Sequence, residues 1–97
     1  MLIENFDLFT QEMRKTLVAK NKDYAGDDSY KNFELVERLG ITSFEKGILV
    51  RMCDKMARLS TIIEKEAAVK DEKLVDTLMD LANYSIILAS YLKDKNS

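Results

Sequence analysis

The chain contains no proline, and its apolar residues recur at helical rather than strand spacing. Only three of its 97 residues are glycine, Gly26, Gly40 and Gly47. Proline and glycine interrupt regular structure most strongly, and no segment alternates apolar and polar residues as a half-buried strand does. The sequence therefore predicts one all-α domain over residues 1–97, a small helical bundle of three main helices plus one short helix.

The apolar periodicity predicts where these helices lie. The first helix is expected over about residues 2–20, followed by a loop rich in Asp, Asn and Gly over 21–29. A short helix should span about 30–39, where Gly40 ends it. A long helix is expected from about 43 to 67, and the last helix from an N-cap at Asp71 to about Lys93.

Each predicted helix has an apolar face that is expected to point into the core. The residues on these faces are Leu2, Phe6, Phe9, Met13 and Leu17, then Phe33 and Val36, then Phe44, Ile48, Met52, Met56, Leu59 and Ile63. Thr42 with Glu45 predicts a capping box at the start of the long helix. The last helix is apolar on nearly every side, and a chain of this size has too few other residues to cover that whole surface. We therefore expect the bundle to be completed by oligomerisation, as a homodimer or a higher homo-oligomer.

Composition narrows the functional classes. Hydrophobic residues make up 46% and charged residues 33% of the chain, which indicates a folded protein, and the net charge of −2 gives no electrostatic footprint for nucleic acid. Asp80 and Asn83 interrupt the longest apolar stretch, so no membrane span is expected. A single cysteine, Cys53, and no basic and apolar leader favour a reducing, cytoplasmic location.

A stripe of polar residues runs down the last helix: Asp76, Asp80 and Asn83. Steps of four and three residues keep them on one narrow face. A carboxylate in an apolar setting is costly unless it is paired or binds a cation. Because the chain has no histidine, a metal site would be built from oxygen ligands, which favours Mg²⁺ or Mn²⁺. The alternative is ion pairing with a basic residue of the long helix, namely Arg51, Lys55 or Arg58.

Most of the other candidate polar residues have two interpretations. Asp54 lies between Arg51 and Arg58 at helical spacing, as in a surface ladder of salt bridges or in a face that grips a ligand. Lys20 would meet phosphates or act as a solvated helix cap, and Tyr24 would stack on a base. Asn83 would hydrogen-bond a base, a ribose or a metal-bound water, or else another helix.

Three segments taken in order resemble a known family. They read KNKDY (20–24), RMCDKMARL (51–59) and DEKLVDTLMDLANY (71–84). They are similar to the nucleotide-modification-associated domain of bacteriophages and prophages, which is MazG-like. The resemblance runs from about Lys20 to Leu92, some three quarters of the chain.

The resemblance implies a nucleotide-handling protein in the style of the all-α NTP pyrophosphatases. Those enzymes hold Mg²⁺ with acidic side chains on two helices, and water attack on the triphosphate releases pyrophosphate and a monophosphate. They assemble as dimers or tetramers in the cytoplasm, here that of a bacterial host cell. The roles implied for this chain are metal binding by Asp54, Asp76 and Asp80, catalysis by Glu72 and Asp76, phosphate binding by Arg51, Lys55, Arg58 and Lys20, and base or sugar contact by Tyr24 and Asn83.

The acidic residues depart from the pattern of those hydrolases, which carry ExxE on one helix and ExxD on the next. Here the long helix offers only Asp54, and Thr77 stands three residues before Asp80. Glu34 and Glu37 complete a cage only if the short helix folds over the site. The leading hypothesis is a Mg²⁺-dependent nucleoside triphosphate pyrophosphohydrolase. The alternatives are a non-catalytic oligomeric protein that sequesters a nucleotide or a cyclic nucleotide signal, and a helical scaffold module.

Overall fold

A computed structural model describes residues 1–24, 30–65 and 72–97, with the side chains of 21–24 and 72 left aside. In these residues the chain forms four helices and no strand: α1 (Leu2–Tyr24), α2 (Lys31–Arg38), α3 (Phe44–Ile63) and α4 (Glu72–Lys95). The prediction of a small all-α bundle is confirmed. None of the described helices is long and apolar enough to span a bilayer.

The helix ends differ from the predicted ones by a few residues. Residues 21–24, which we expected in a loop, continue α1 to Tyr24. The long helix α3 ends at Ile63 rather than 67, and α4 continues two residues past Lys93. The rest of the predicted loop, 25–29, and the predicted N-cap Asp71 lie outside the described residues.

Gly40 ends α2 as predicted, through a Schellman motif. Its φ of +71° is left-handed. Its N–H donates to the carbonyl of Glu37 at 3.0 Å, and the N–H of Ile41 donates to the carbonyl of Val36 at 3.0 Å. These bonds satisfy carbonyls at the helix end that would otherwise lack partners.

Replacing Gly40 by alanine should lower the free energy of unfolding by about 1–2 kcal/mol, because a Cβ disfavours left-handed backbone. A Cβ at this position would meet nothing within 4 Å, so the effect is conformational rather than steric. Gly40→Asn is the matched control and should cost less, since asparagine tolerates this region. Urea denaturation followed by circular dichroism measures both, and an alanine variant as stable as the wild type would contradict the assignment.

The N-terminus of α3 is capped by Ser43 rather than by the predicted Thr42. Ser43 has extended backbone (φ −70°, ψ 161°), and its Oγ accepts from the N–H of Lys46 at 3.2 Å. The carboxylate of Glu37 on α2 accepts from the N–H of Phe44 at 2.7 Å. The cap is therefore shared between α3 itself and the preceding helix, which the local pattern of the sequence does not show.

The predicted capping box is wrong because Ser43 is the N-cap, which puts Glu45 two residues after it instead of three, and Glu45 has a different partner. Its carboxylate forms an ion pair with Lys95 of α4 at 3.6 Å. Glu45 thus ties the start of α3 to the end of α4, where the two helices pack antiparallel.

The core lies between α3 and α4, with α2 covering one end. Phe44, Ile48 and Ile87 are buried together, and Phe44 has no exposed surface. The ring of Phe44 stacks on Tyr91 with centroids 3.8 Å apart. Gly47 lets α2 approach closely, because a Cβ there would lie 2.8 Å from a methyl group of Val36.

Part of the predicted core is exposed. Met13, Phe44, Ile48 and Leu59 are buried as predicted, and Leu17, Phe33 and Met52 pack against the core. Five other residues expected to point inward are 43–78% exposed, namely Leu2, Phe6, Phe9, Met56 and Ile63. The helical period correctly groups these residues with the other apolar residues of their helix face. No other described helix extends far enough to cover the part of the face where these five lie.

Candidate functional site

All four helices contribute to one cleft with a volume of about 230 Å³. Its lining residues are Thr16, Leu17 and Lys20 of α1, Asn32 and Phe33 of α2, Arg51 of α3, and Asp80, Asn83, Tyr84 and Ile87 of α4. Four of the ten were predicted as site residues: Lys20, Arg51, Asp80 and Asn83. Residues up to 71 positions apart therefore converge here because the bundle closes around α4.

Lys20 and Arg51 supply the positive charge of the cleft. Lys20 comes from the last turns of α1 and Arg51 from the middle of α3. The guanidinium carbon of Arg51 lies 4.8 Å from the centre of the Phe33 ring, a cation–π distance. This contact holds a planar, permanently charged donor in place, and such a donor suits phosphate or carboxylate oxygens.

Asp80 is the acidic residue of the cleft lining. Its Oδ2 lies 3.2 Å from Nζ of Lys55, one turn after Arg51 on α3, and the Asp80 side chain is 32% exposed. This is the ion pair with the long helix that the sequence offered as one interpretation of Asp80. The pair leaves the carboxylate in the lining of the cleft, beside Arg51.

The remaining lining is suited to a flat heterocycle. Phe33 and Tyr84 meet edge to face with centroids 6.5 Å apart. Asn83 and Asn32 add amide groups, which donate and accept hydrogen bonds in one plane. Cations, amides and aromatic rings thus lie around a single cleft.

Four predicted site residues with described side chains do not line this cleft: Asp54, Lys55, Arg58 and Asp76. Asp54, Asp76 and Arg58 are exposed. Asp76 precedes Asp80 by one turn of α4, but at that level its side chain is open to solvent. Asp54 forms no ion pair with either neighbouring arginine within 4 Å, so the predicted ladder is absent between these described residues.

The predicted metal ligands Asp54, Asp76 and Asp80 do not come together as a cluster among the described side chains. Those side chains include no group of three or more histidine, cysteine, aspartate or glutamate residues placed to hold a metal. Glu34 pairs with Arg38 at 3.7 Å, and Glu37 caps α3. Glu72 and Tyr24 begin α4 and end α1, and their side chains lie outside the described part of the chain.

Six of the ten lining residues were not predicted as site residues, and three of these six carry polar groups: Thr16, Asn32 and Tyr84. Thr16 stands one helical turn before Lys20, and Tyr84 is the last residue of the third family-like segment, so both left a signal in the sequence. Asn32 left none, because its position depends on how α2 lies across α3 and α4.

A second cleft adjoins the first and shares Leu17, Phe33 and Ile87 with it. The hydroxyl of Tyr30 lies there, donating to Asp94 Oδ2 at 2.7 Å and lying 2.6 Å from Ser90 Oγ. Desolvation raises the pKa of Tyr30 above its ordinary value of 10.0, and the nearby Asp94 raises it further. Tyr30 therefore remains a neutral hydrogen-bond donor at physiological pH.

Comparison with known proteins gives one match. The sequence profile of a family described as nucleotide modification associated domain 1 matches residues 20–90. No curated protein and no solved structure matches the chain. The matched region includes Lys20, Arg51, Asp80 and Asn83, and it covers well over half of the 97 residues. The chain therefore belongs to the nucleotide modification associated domain 1 family.

Proposed function

We propose that this protein binds a nucleotide in the cleft between its four helices. The observation that carries the proposal is the convergence of Lys20 and Arg51 with Asn83, Phe33 and Tyr84 around one cavity. In this proposal the two cations bind phosphate oxygens, and the amide and the rings bind the base or sugar. The family description, nucleotide modification associated domain 1, agrees with a nucleotide ligand.

The chemistry of these side chains supports such a ligand. Hydrogen bonds to charged groups contribute about 1.5–3 kcal/mol each, and stacking on an aromatic ring contributes about 1–3 kcal/mol per base. The Arg51–Phe33 contact fixes the guanidinium before any ligand arrives, which lowers the entropy lost on binding. At about 230 Å³ the cleft is smaller than most whole-ligand pockets, so part of a nucleotide would project from it.

A second candidate function is Mg²⁺-dependent hydrolysis of nucleoside triphosphates to monophosphate and pyrophosphate. Asp80 favours it, because its carboxylate, although paired with Lys55, remains in the lining of the cleft and would offer Mg²⁺ an oxygen ligand beside the bound phosphates. Mg²⁺ is commonly held by one or two carboxylates together with substrate phosphates. Asp80, with Asp76 one turn earlier, fits that donor set, although not a preformed cage. The metal would neutralise phosphate charge and activate water, and Glu72 remains the predicted general base.

The MazG-like resemblance supports the same candidate, whereas the absence of three clustered carboxylates among the described side chains favours binding without turnover. In a phage or prophage, hydrolysis would adjust the nucleotide pool. Binding without turnover would sequester a nucleotide or cyclic nucleotide signal.

A thermal-shift screen separates these functions. Nucleoside mono-, di- and triphosphates and cyclic nucleotides are each tested with Mg²⁺ and with EDTA, and pyrophosphate is measured in the same samples. A Mg²⁺-dependent rise in Tm with pyrophosphate release establishes the hydrolase. A rise that persists in EDTA, with the ligand recovered intact, establishes sequestration. No shift with any nucleotide overturns both and leaves the scaffold hypothesis.

Asp80→Asn tests the role of the carboxylate directly. We expect the variant to bind nucleotide about fivefold more tightly than wild type in EDTA, since a negative charge beside the phosphates is removed. We also expect the affinity gained from Mg²⁺ to disappear. Isothermal titration calorimetry with and without the metal measures both effects.

Asp54→Asn is the matched control for that experiment, because Asp54 is exposed and does not line the cleft. It should bind like wild type in both buffers. Weaker binding of Asp80→Asn in EDTA would show that the carboxylate contacts the ligand as a hydrogen-bond acceptor rather than repelling it.

A further inference from the structure

The N-terminal half of α1 carries an apolar stripe that its own bundle does not cover. Leu2, Phe6, Phe9, Met13 and Leu17 follow one another at spacings of four and three residues on one helix face. The exposed fraction of these side chains falls steadily along the helix, from 78% at Leu2 through 60% at Phe6 and 43% at Phe9 to 8% at Met13. All of residues 1–9 are exposed, so α1 projects from the bundle with its stripe intact.

The exposed surface of the chain is too large for a compact monomer. Its accessible area is 7533 Å², about 1,800 Å² more than the size scaling for folded monomers gives. Its radius of gyration of 15.0 Å likewise exceeds the 12.5 Å or so expected at this length. A standard interface covers about 800 Å² on each partner, and obligate homodimers cover about 1,000–2,500 Å² on each. The excess therefore has the size of an obligate homodimer interface.

We propose that the occupant of this surface is a second copy of the same chain, and that the stripe Leu2–Phe6–Phe9 lies in a two-fold symmetric interface. A second copy brings an identical excess of apolar surface, so each subunit covers what the other exposes. Further exposed apolar residues lie at one end of the antiparallel α3–α4 pair and offer the stripe a surface to pack on. They are Met56, Ile63, Val75 and Leu78, at 41–63% exposure.

A dimer formed through the start of α1 would also affect the cleft, although the dimer proposal does not depend on nucleotide binding. The same helix that projects at Leu2 supplies Thr16, Leu17 and Lys20 to the cleft lining. A partner that holds the start of α1 would fix the wall that carries Lys20. The first 19 residues precede the region matched by the family profile, so the stripe is a feature of this chain rather than of that profile.

Sedimentation equilibrium tests the proposal. We expect wild type at micromolar concentration to have twice the 11.2 kDa mass of the chain. Phe6→Glu should raise the dimer dissociation constant at least about 100-fold, because the charge enters the interface twice. Gln11→Glu is the matched control, since it adds the same charge to the opposite, exposed face of α1 and should leave the dimer unchanged.

The variant also remains informative if it fails to fold when dilute. Helicity that is lost at low concentration and recovered at high concentration would show folding coupled to assembly, which supports the proposal. A wild-type chain that sediments at monomer mass across the concentration range would overturn it. Equal dimer stability of Phe6→Glu and Gln11→Glu would also overturn it, because the contact would then lie elsewhere.

Discussion

Replacing Arg51 by alanine should weaken nucleotide binding by about 10- to 100-fold, since a charged donor that is held in place contributes about 1.5–3 kcal/mol. The guanidinium lies 4.8 Å from the Phe33 ring and lines the cleft beside Asp80. Its loss removes one of the two cations of the lining and frees the ring that positions it. Calorimetric titration with the nucleotide that gives the largest thermal shift measures the change in Kd.

Two further variants define what Arg51 supplies. Arg58→Ala removes the same charge two turns later on α3, where the side chain is exposed and outside the cleft, and should change the Kd less than twofold. Arg51→Lys keeps the charge but not the planar donor pair, so we expect intermediate affinity. If the Arg51 and Arg58 variants lose affinity equally, the ligand is held by the overall positive charge of α3 and not by contacts in the cleft.

Replacing Phe44 by alanine should lower the free energy of unfolding by about 3–5 kcal/mol, the usual cost of removing a large buried ring. Phe44 has no exposed surface, stacks on Tyr91 at 3.8 Å, and meets Tyr30 and Phe33 edge to face at 6.0 and 6.4 Å. The cavity would open where α2, α3 and α4 meet. For a domain of this size the Tm should fall by at least about 12 °C.

The control for Phe44 is Leu49→Ala, a truncation on the same helix at a side chain that is 50% exposed. It should cost about 1 kcal/mol or less. Both variants are compared with wild type at one protein concentration, because assembly would couple stability to concentration. A Phe44 variant that unfolds like wild type would mean that the aromatic cluster does not form the core.

The predicted metal ligands Asp76 and Asp80 show what a sequence pattern can and cannot predict about a site. Asp76 and Asp80 stand one turn apart, and the pattern treats them alike. In the folded chain Asp80 lies against α3, pairs with Lys55 and lines the cleft, whereas Asp76 is exposed. Their difference arises from where α3 lies along α4, a distance between helices that is not contained in the spacing along either one.

The capping prediction failed for a related reason. Thr42 and Glu45 have the spacing of a capping box, yet Ser43 begins α3 and Glu45 pairs with Lys95. The helix begins one residue later than the motif requires, so Lys46 rather than Glu45 stands three residues after the N-cap, and packing brings Lys95 of α4 to the Glu45 carboxylate instead.

The sequence by itself determined the helical class, the approximate extent of each helix and the polar residues that mark the family, because all of these depend on interactions within a few residues. It also placed Lys20, Arg51, Asp80 and Asn83 among the candidates for the site. Only the tertiary structure decided that these four share a cleft with Phe33 and Tyr84, and that the stripe from Leu2 to Phe9 is left uncovered. Those outcomes depend on where each helix ends against its neighbours, which is set by packing across the whole bundle.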